Sequence, residues 1–100
     1  MKQIPEHVAA YRRTAEFSEA TIPAGLRSRH NTRAGVWGRI RVLEGRLRYR
    51  ILEPEIEELV LSPGQDGVVE PEVFHEVESV GAVRFYVEFL HASDPVSLSR

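Results

Sequence analysis

The 100-residue sequence contains no cysteine. Disulfides, thiolate metal sites and cysteine nucleophiles are therefore excluded together. Lysine is almost missing too, since Lys2 stands alone against twelve arginines, and methionine and tryptophan occur once each, as Met1 and Trp37. Long apolar runs are absent: the longest, Val8-Ala9-Ala10-Tyr11, is too short for a bilayer span or a signal-peptide core. Thirteen Lys+Arg against fifteen Asp+Glu leave a formal charge of −2, which excludes a grossly basic nucleic-acid binder. No repeat or low-complexity tract breaks the chain. These features together predict one soluble, cytoplasmic domain over residues 1–100, with neither membrane nor nucleic acid as partner.

What is present reads as a β protein. Breakers recur at Pro23/Gly25, Gly35, Gly45, Pro54, Pro63-Gly64, Gly67, Pro71 and Gly81, roughly ten residues apart, a spacing that suits a sandwich or barrel. The opening around Pro5 has room for a helical turn or two at most. In Val36–Leu43 and Arg46–Leu52, polar and apolar residues alternate with period two, and Glu44-Gly45 between them predicts a two-residue hairpin turn. Such a hairpin would set Arg41 opposite Arg48 and Arg39 opposite Arg50, an unfavourable arrangement unless something anionic lies against it. Further strands are predicted over 58–62, 67–70, 74–79 and 83–90. Alternation turns His75 inward with Val77, and it puts Val83, Phe85, Val87 and Phe89 on one face of the last strand with Arg84, Tyr86, Glu88 and Leu90 on the other.

Four histidines occur, at 7, 30, 75 and 91, and the first and last fall in stretches expected to be solvated. His30 follows Pro23-Ala24-Gly25-Leu26-Arg27-Ser28-Arg29 and precedes Asn31-Thr32-Arg33-Ala34-Gly35; His75 follows Glu70-Pro71-Glu72-Val73-Phe74. Gly25, His30 and Leu43-Glu44-Gly45 resemble the first cupin motif, and Pro63-Gly64 with Pro71 and His75 resembles the second. More narrowly, the run from His30 to Gly38, Val42–Gly45, Glu70-Pro71 with His75, and Val83–Phe89 resemble the TehB/YeaR-like family, over almost the whole chain. Members of that family are small cupin-like domains, found alone or ahead of a methyltransferase in some tellurite-resistance proteins. The resemblance implies an all-β, cupin-like barrel of jelly-roll type with a short N-terminal segment.

It also implies where a metal would sit. A complete cupin site takes two histidines and a glutamate from the first motif and one histidine from the second. His30 matches the first histidine and His75 the last, but Thr32 stands where the second belongs and Trp37 or Gly38 where the glutamate belongs. Two imidazoles are short of the three or four protein ligands that zinc normally takes. Glu88, or else Glu70 or Glu72, is the candidate to complete a site for Zn, Fe, Ni or Mn. The plainer reading has both histidines hydrogen-bonded at a barrel mouth. Glu88 and Tyr86 line the cavity only if the Phe85 face packs elsewhere, and Trp37 reads as a packing residue or as an apolar cavity wall.

The arginine face, Arg39, Arg41, Arg46, Arg48 and Arg50, has three readings. It pairs with Glu53–Glu58, Glu76 and Glu78, partly across a homodimer contact; it holds an oxyanion; or, least well, it meets nucleic acid. Three functions are then carried forward. The first is a binder of a small polar or anionic ligand around His30, His75, Trp37, Thr32 and Tyr86, with or without a divalent metal, placed by resemblance in a tellurite or oxyanion-resistance setting. The second is a metal-dependent dioxygenase or isomerase, and the third a dimeric assembly module. No catalytic nucleophile is identifiable.

Overall fold

The computed structural model describes residues 1–92. Their strands are β1 (Val8–Arg13), β2 (Phe17–Ser18), β3 (Trp37–Ile51), β4 (Glu57–Leu61), β5 (Gly67–Val69) and β6 (His75–Ala92), with one short 3₁₀ turn at Ala24–Arg27. All pairings are antiparallel, in one sheet of order β1-β6-β3-β4, with β2 added to β6 and β5 to β3. The chain is thus all-β, and the described sheet is open: β1 and β4 end the order without pairing to each other.

Two long strands replace four expected short ones. Glu44-Gly45 is not a hairpin turn but the bend inside β3, and 79–83 is the matching bend in β6. Register shifts between Val42/Glu44 and between Gly45/Leu47 mark it as a bulged stretch. The bulge also changes parity, so Ile40 and Val42 before it and Leu47, Tyr49 and Ile51 after it are all buried. Without that change the second half of β3 would turn its apolar residues to solvent. Gly45 is required there. Its φ is +78°, and a Cβ would stand 2.0 Å from the Ala82 carbonyl oxygen of the crossing strand.

The bends fold the sheet over, and the inward faces of both halves share one core of Ile40, Val42, Leu47, Tyr49, Leu61, Val69, Val77, Val83, Phe85 and Val87. The Tyr49 hydroxyl crosses between halves to donate to the Val68 carbonyl at 2.8 Å. Phe85 is fully buried and meets Phe17 edge to face. Truncating a residue so placed costs about 3–5 kcal/mol. The N-terminal stretch forms no helix; it runs as β1 along β6, where tertiary pairing supplies the hydrogen bonds that an isolated turn would lack. His91 lies within β6 rather than beyond it, its ring 4.0 Å from that of Tyr11.

The outer face carries Arg39, Arg41, Arg48 and Arg50, whose partners are carboxylates rather than one another, whereas Arg46 makes no ion pair among the described residues. Arg39 stands opposite Glu88, Arg48 opposite Glu78 and Arg50 opposite Glu76 on β6, while Arg48 and Arg50 also meet β4 at Val60 and Glu58. Arg48 bonds Glu58 at 3.2 Å and Glu78 at 3.0 Å; Arg50 bonds Glu58 at 2.9 Å and also Glu76. Arg41 reaches Glu88 at 3.5 Å and Asp66 at 3.7 Å. Because the two halves of the predicted ladder run end to end in β3, each facing β6 rather than the other, the repulsion that the hairpin reading implied does not arise.

Candidate functional site

His30 and His75 are brought together by the backbone. The His30 N–H donates to the His75 carbonyl at 2.7 Å and the His75 N–H donates to the His30 carbonyl at 2.8 Å, a one-residue bridge that pins the 28–36 loop to the start of β6. Their rings meet edge to face with centroids 5.3 Å apart, and Tyr49 closes the other side of His75 at 5.8 Å. His75 is buried, which pushes its imidazole down to about 4, with the neighbouring His30 acting in the same direction and the Val73 carbonyl opposing. Burial also lowers His30. Both rings are neutral at pH 7.

The hydrogen-bond account leaves one atom over. His75 Nδ1 lies 3.3 Å from the Val73 carbonyl oxygen, but His30 Nδ1 is sealed from solvent with no partner at all. Buried polar atoms in this state are rare and costly. His30 lines a narrow chamber with His75, Thr32, Leu26, Ile40, Val69, Phe85, Val87 and Phe89, with free space of about 30 Å³, the share of one water molecule.

His30, Thr32 and Phe89 also form the inner wall of a second, wider cavity of about 300 Å³ that reaches the surface. Its rim consists of Tyr11, Arg12, Asn31 and Arg33. A register shift between Ala10 and Arg12 bulges Tyr11 out of β1, placing both side chains at this mouth, where Arg12 lies 5.8 Å over the Phe89 ring. Neither Arg12 nor Arg33 makes an ion pair among the described residues. Thr32 holds the loop in shape: its hydroxyl donates to the Val36 carbonyl at 2.7 Å and its own carbonyl accepts from the Glu72 N–H at 3.0 Å. Asn31 donates to the Glu72 carbonyl at 3.4 Å.

Of the candidates for this site, His30, His75 and Thr32 converge. Glu88 does not, because Val83, Phe85 and Val87 enter the core and period two turns Glu88 outward, where it accepts from Arg39 at 3.1 Å. Tyr86 lies on the same outer side under the Arg13 guanidinium, 3.9 Å from its ring centre. Trp37 shares a strand face with Arg39 and Arg41, stands opposite Leu90, and lines neither cavity. No three of His, Asp and Glu come together among the described residues. The donor set is therefore two imidazoles, which does not fit a resident metal of the zinc or iron type. Arg12, Arg33 and Asn31 were not legible as site residues, since only the docking of β1 on β6 brings Arg12 to the loop.

A larger cleft of about 430 Å³ lies between Arg27, Arg48, Arg50, Glu19, Glu76 and Glu78. Its charges are of both signs, and Arg48 and Arg50 are already held by carboxylates. Of its arginines, Arg27 alone makes no ion pair among the described residues, against two at the mouth.

The sequence model described as the TehB-like domain matches residues 12–87. The chain belongs to the TehB-like domain family. It is 33% identical over 89 residues to the uncharacterised protein YeaR of Escherichia coli K12, covering 80% of this chain and 74% of YeaR. It is 30% identical over 74 residues to Haemophilus influenzae TehB, named as a probable S-adenosyl-L-methionine-dependent methyltransferase, with 70% of this chain and 26% of TehB covered. This TehB-like domain therefore spans about a quarter of that relative. The crystal structure of H. influenzae TehB superposes with a TM-score of 0.82 at 24% identity, over 90% of this chain and 33% of that one, a likeness of fold. A structural-genomics crystal structure from E. coli K12 gives 0.83 at 28% identity, over 94% of this chain and 100% of that one. In addition, no helix among the described residues is long and apolar enough to cross a membrane.

Proposed function

We propose that this TehB-like domain is a binding module for a small anionic molecule, seated at the mouth between Arg12 and Arg33. One observation carries the reading: Arg12 and Arg33, neither of which makes an ion pair among the described residues, line the same cavity of about 300 Å³ open to the surface. Arginine forks match carboxylates and oxyanions in planar, two-point contacts. Asn31 adds a neutral amide at the rim. The neutral imidazoles suit recognition by hydrogen bonding rather than by charge.

Nothing in this reading borrows methyl transfer from TehB, most of whose length has no counterpart here. Nor does it use a metal. It keeps the anionic-ligand part of the family expectation and moves the seat from Trp37 and Tyr86 to Arg12 and Arg33. Isothermal titration at constant ionic strength with acetate, phosphate, sulfate and tellurite tests it. At least one anion should bind with a dissociation constant at or below the millimolar range, and the Arg12→Gln/Arg33→Gln double variant should weaken it about tenfold or more. Equal affinity of the double variant for every anion would defeat the proposal.

A further inference from the structure

The balance of charge at the mouth bears on which anion it takes. Resting on the mouth reading, we infer that the ligand is a doubly charged anion, a dianionic oxyanion or a dicarboxylate, rather than a singly charged one. Arg12 and Arg33 are the charged side chains of the lining, which includes no aspartate or glutamate. The cleft beside Arg48 and Arg50 is built the other way, with three arginines against Glu19, Glu76 and Glu78. Its own residues balance its charge, whereas those of the mouth leave two positive charges unanswered.

The neighbouring groups do not alter that sum. Burial keeps His30 neutral at pH 7, and Glu72, which holds Asn31 and Thr32 through its backbone, contributes no side chain to the lining. Arg13, next to Arg12 in β1, is turned away to the Tyr86 ring and Glu16. Two like charges that share a cavity repel; a monoanion cancels one of them and a dianion cancels both. Each guanidinium can then donate to its own oxygens on one ligand instead of competing for a single carboxylate. The volume of about 300 Å³ has room for a compact tetrahedral dianion and for a short dicarboxylate alike.

The experiment is a titration of the full chain at pH 7 and constant low ionic strength, with two pairs of ligands alike in shape and unlike in charge: sulfate with methanesulfonate, and succinate with succinamate. In at least one pair the dianion should bind about fivefold more tightly than its singly charged partner. A preference in the sulfate pair marks a compact oxyanion, and one in the succinate pair marks a dicarboxylate. Added salt should shrink the preference, because it screens the second charge. Arg12→Gln and Arg33→Gln, each alone, should bring the dianion down to the level of the monoanion, whereas Arg12→Lys and Arg33→Lys, which keep the charge, should retain the preference. A preference that survives both single Gln variants would overturn the inference. Equal binding within both pairs, with all of it lost in the Arg12→Gln/Arg33→Gln variant, would also overturn it and leave the mouth reading standing. No binding by any of the four would overturn both.

Discussion

The outer face of β3 and the mouth beside His30 are both rich in arginine, and they differ in what answers the charge. On the outer face Arg39, Arg41, Arg48 and Arg50 each have carboxylate partners from β4, β6 or the turn at Asp66. At the mouth, Arg12 and Arg33 have none among the described residues, and the polar atom behind them, His30 Nδ1, has none either. A count of arginines points at the first region. Pairing points at the second. The excess of arginine over lysine therefore reports in part a set of fixed, forked contacts across a sheet, and the mouth pair belongs with Arg27, Arg29 and Arg46 to the described arginines that make no ion pair among the described residues.

Acid should separate the two regions most strongly. His75 is held at about 4 by burial, below the 6.5 of an exposed imidazole, so the unfolded chain takes up its proton first as pH falls. Stability from this group is complete above about pH 6.5 and is lost progressively down to about pH 4, by about 3 kcal/mol at most. His30, shifted in the same direction, adds to the slope. Chemical denaturation at pH 7, 5.5 and 4 should show this loss, and His75→Leu should flatten most of it. An unchanged slope in that variant would mean that the inner histidines are not the acid-sensitive element.

Ligand affinity comes next. Losing both mouth arginines should cost about tenfold in anion binding, while the same double substitution on the outer face should leave binding unaltered. Smaller again is the outer ladder's share of stability. Glu88 holds two arginines from a half-buried position, so Glu88→Gln should destabilise by about 1 kcal/mol, and the loss should shrink in high salt. Smallest is the stability effect of Arg12→Gln or Arg33→Gln, within about 0.5 kcal/mol, because neither makes an ion pair among the described residues. A destabilisation there equal to that of Glu88→Gln would erase the distinction between the regions.

Much of this was legible locally. Period-two alternation around Val77 placed His75 inside, whereas the side taken by Glu88 and Tyr86 stayed open in the sequence and follows from the burial of Val83, Phe85 and Val87. Glu58, Glu76 and Glu78 were legible as partners for Arg48 and Arg50 from composition and proximity in sequence. What misled was Gly45, because a residue at positive φ serves a hairpin turn and a β-bulge equally well, and only the Ala82 carbonyl packed against it distinguishes them. From that ambiguity followed the wrong neighbours for β3, and the same ambiguity at Gly81, also at positive φ, gave two strands where β6 has one. The mouth was illegible for a different reason. Arg12 and Arg33 are far apart in sequence and meet only through the β1–β6 pairing and the His30–His75 bridge, both long-range contacts with no local signature.

The central claim is that a small anion sits between Arg12 and Arg33. Crystals equilibrated with acetate test it most directly, by the electron density in the cavity bounded by Arg12, Arg33, Asn31 and His30. Density for one acetate, with its carboxylate on the two guanidiniums, is the predicted result. Ordered water alone at the mouth, with acetate instead displacing glutamates along the Arg48–Arg50 ladder, would contradict the account.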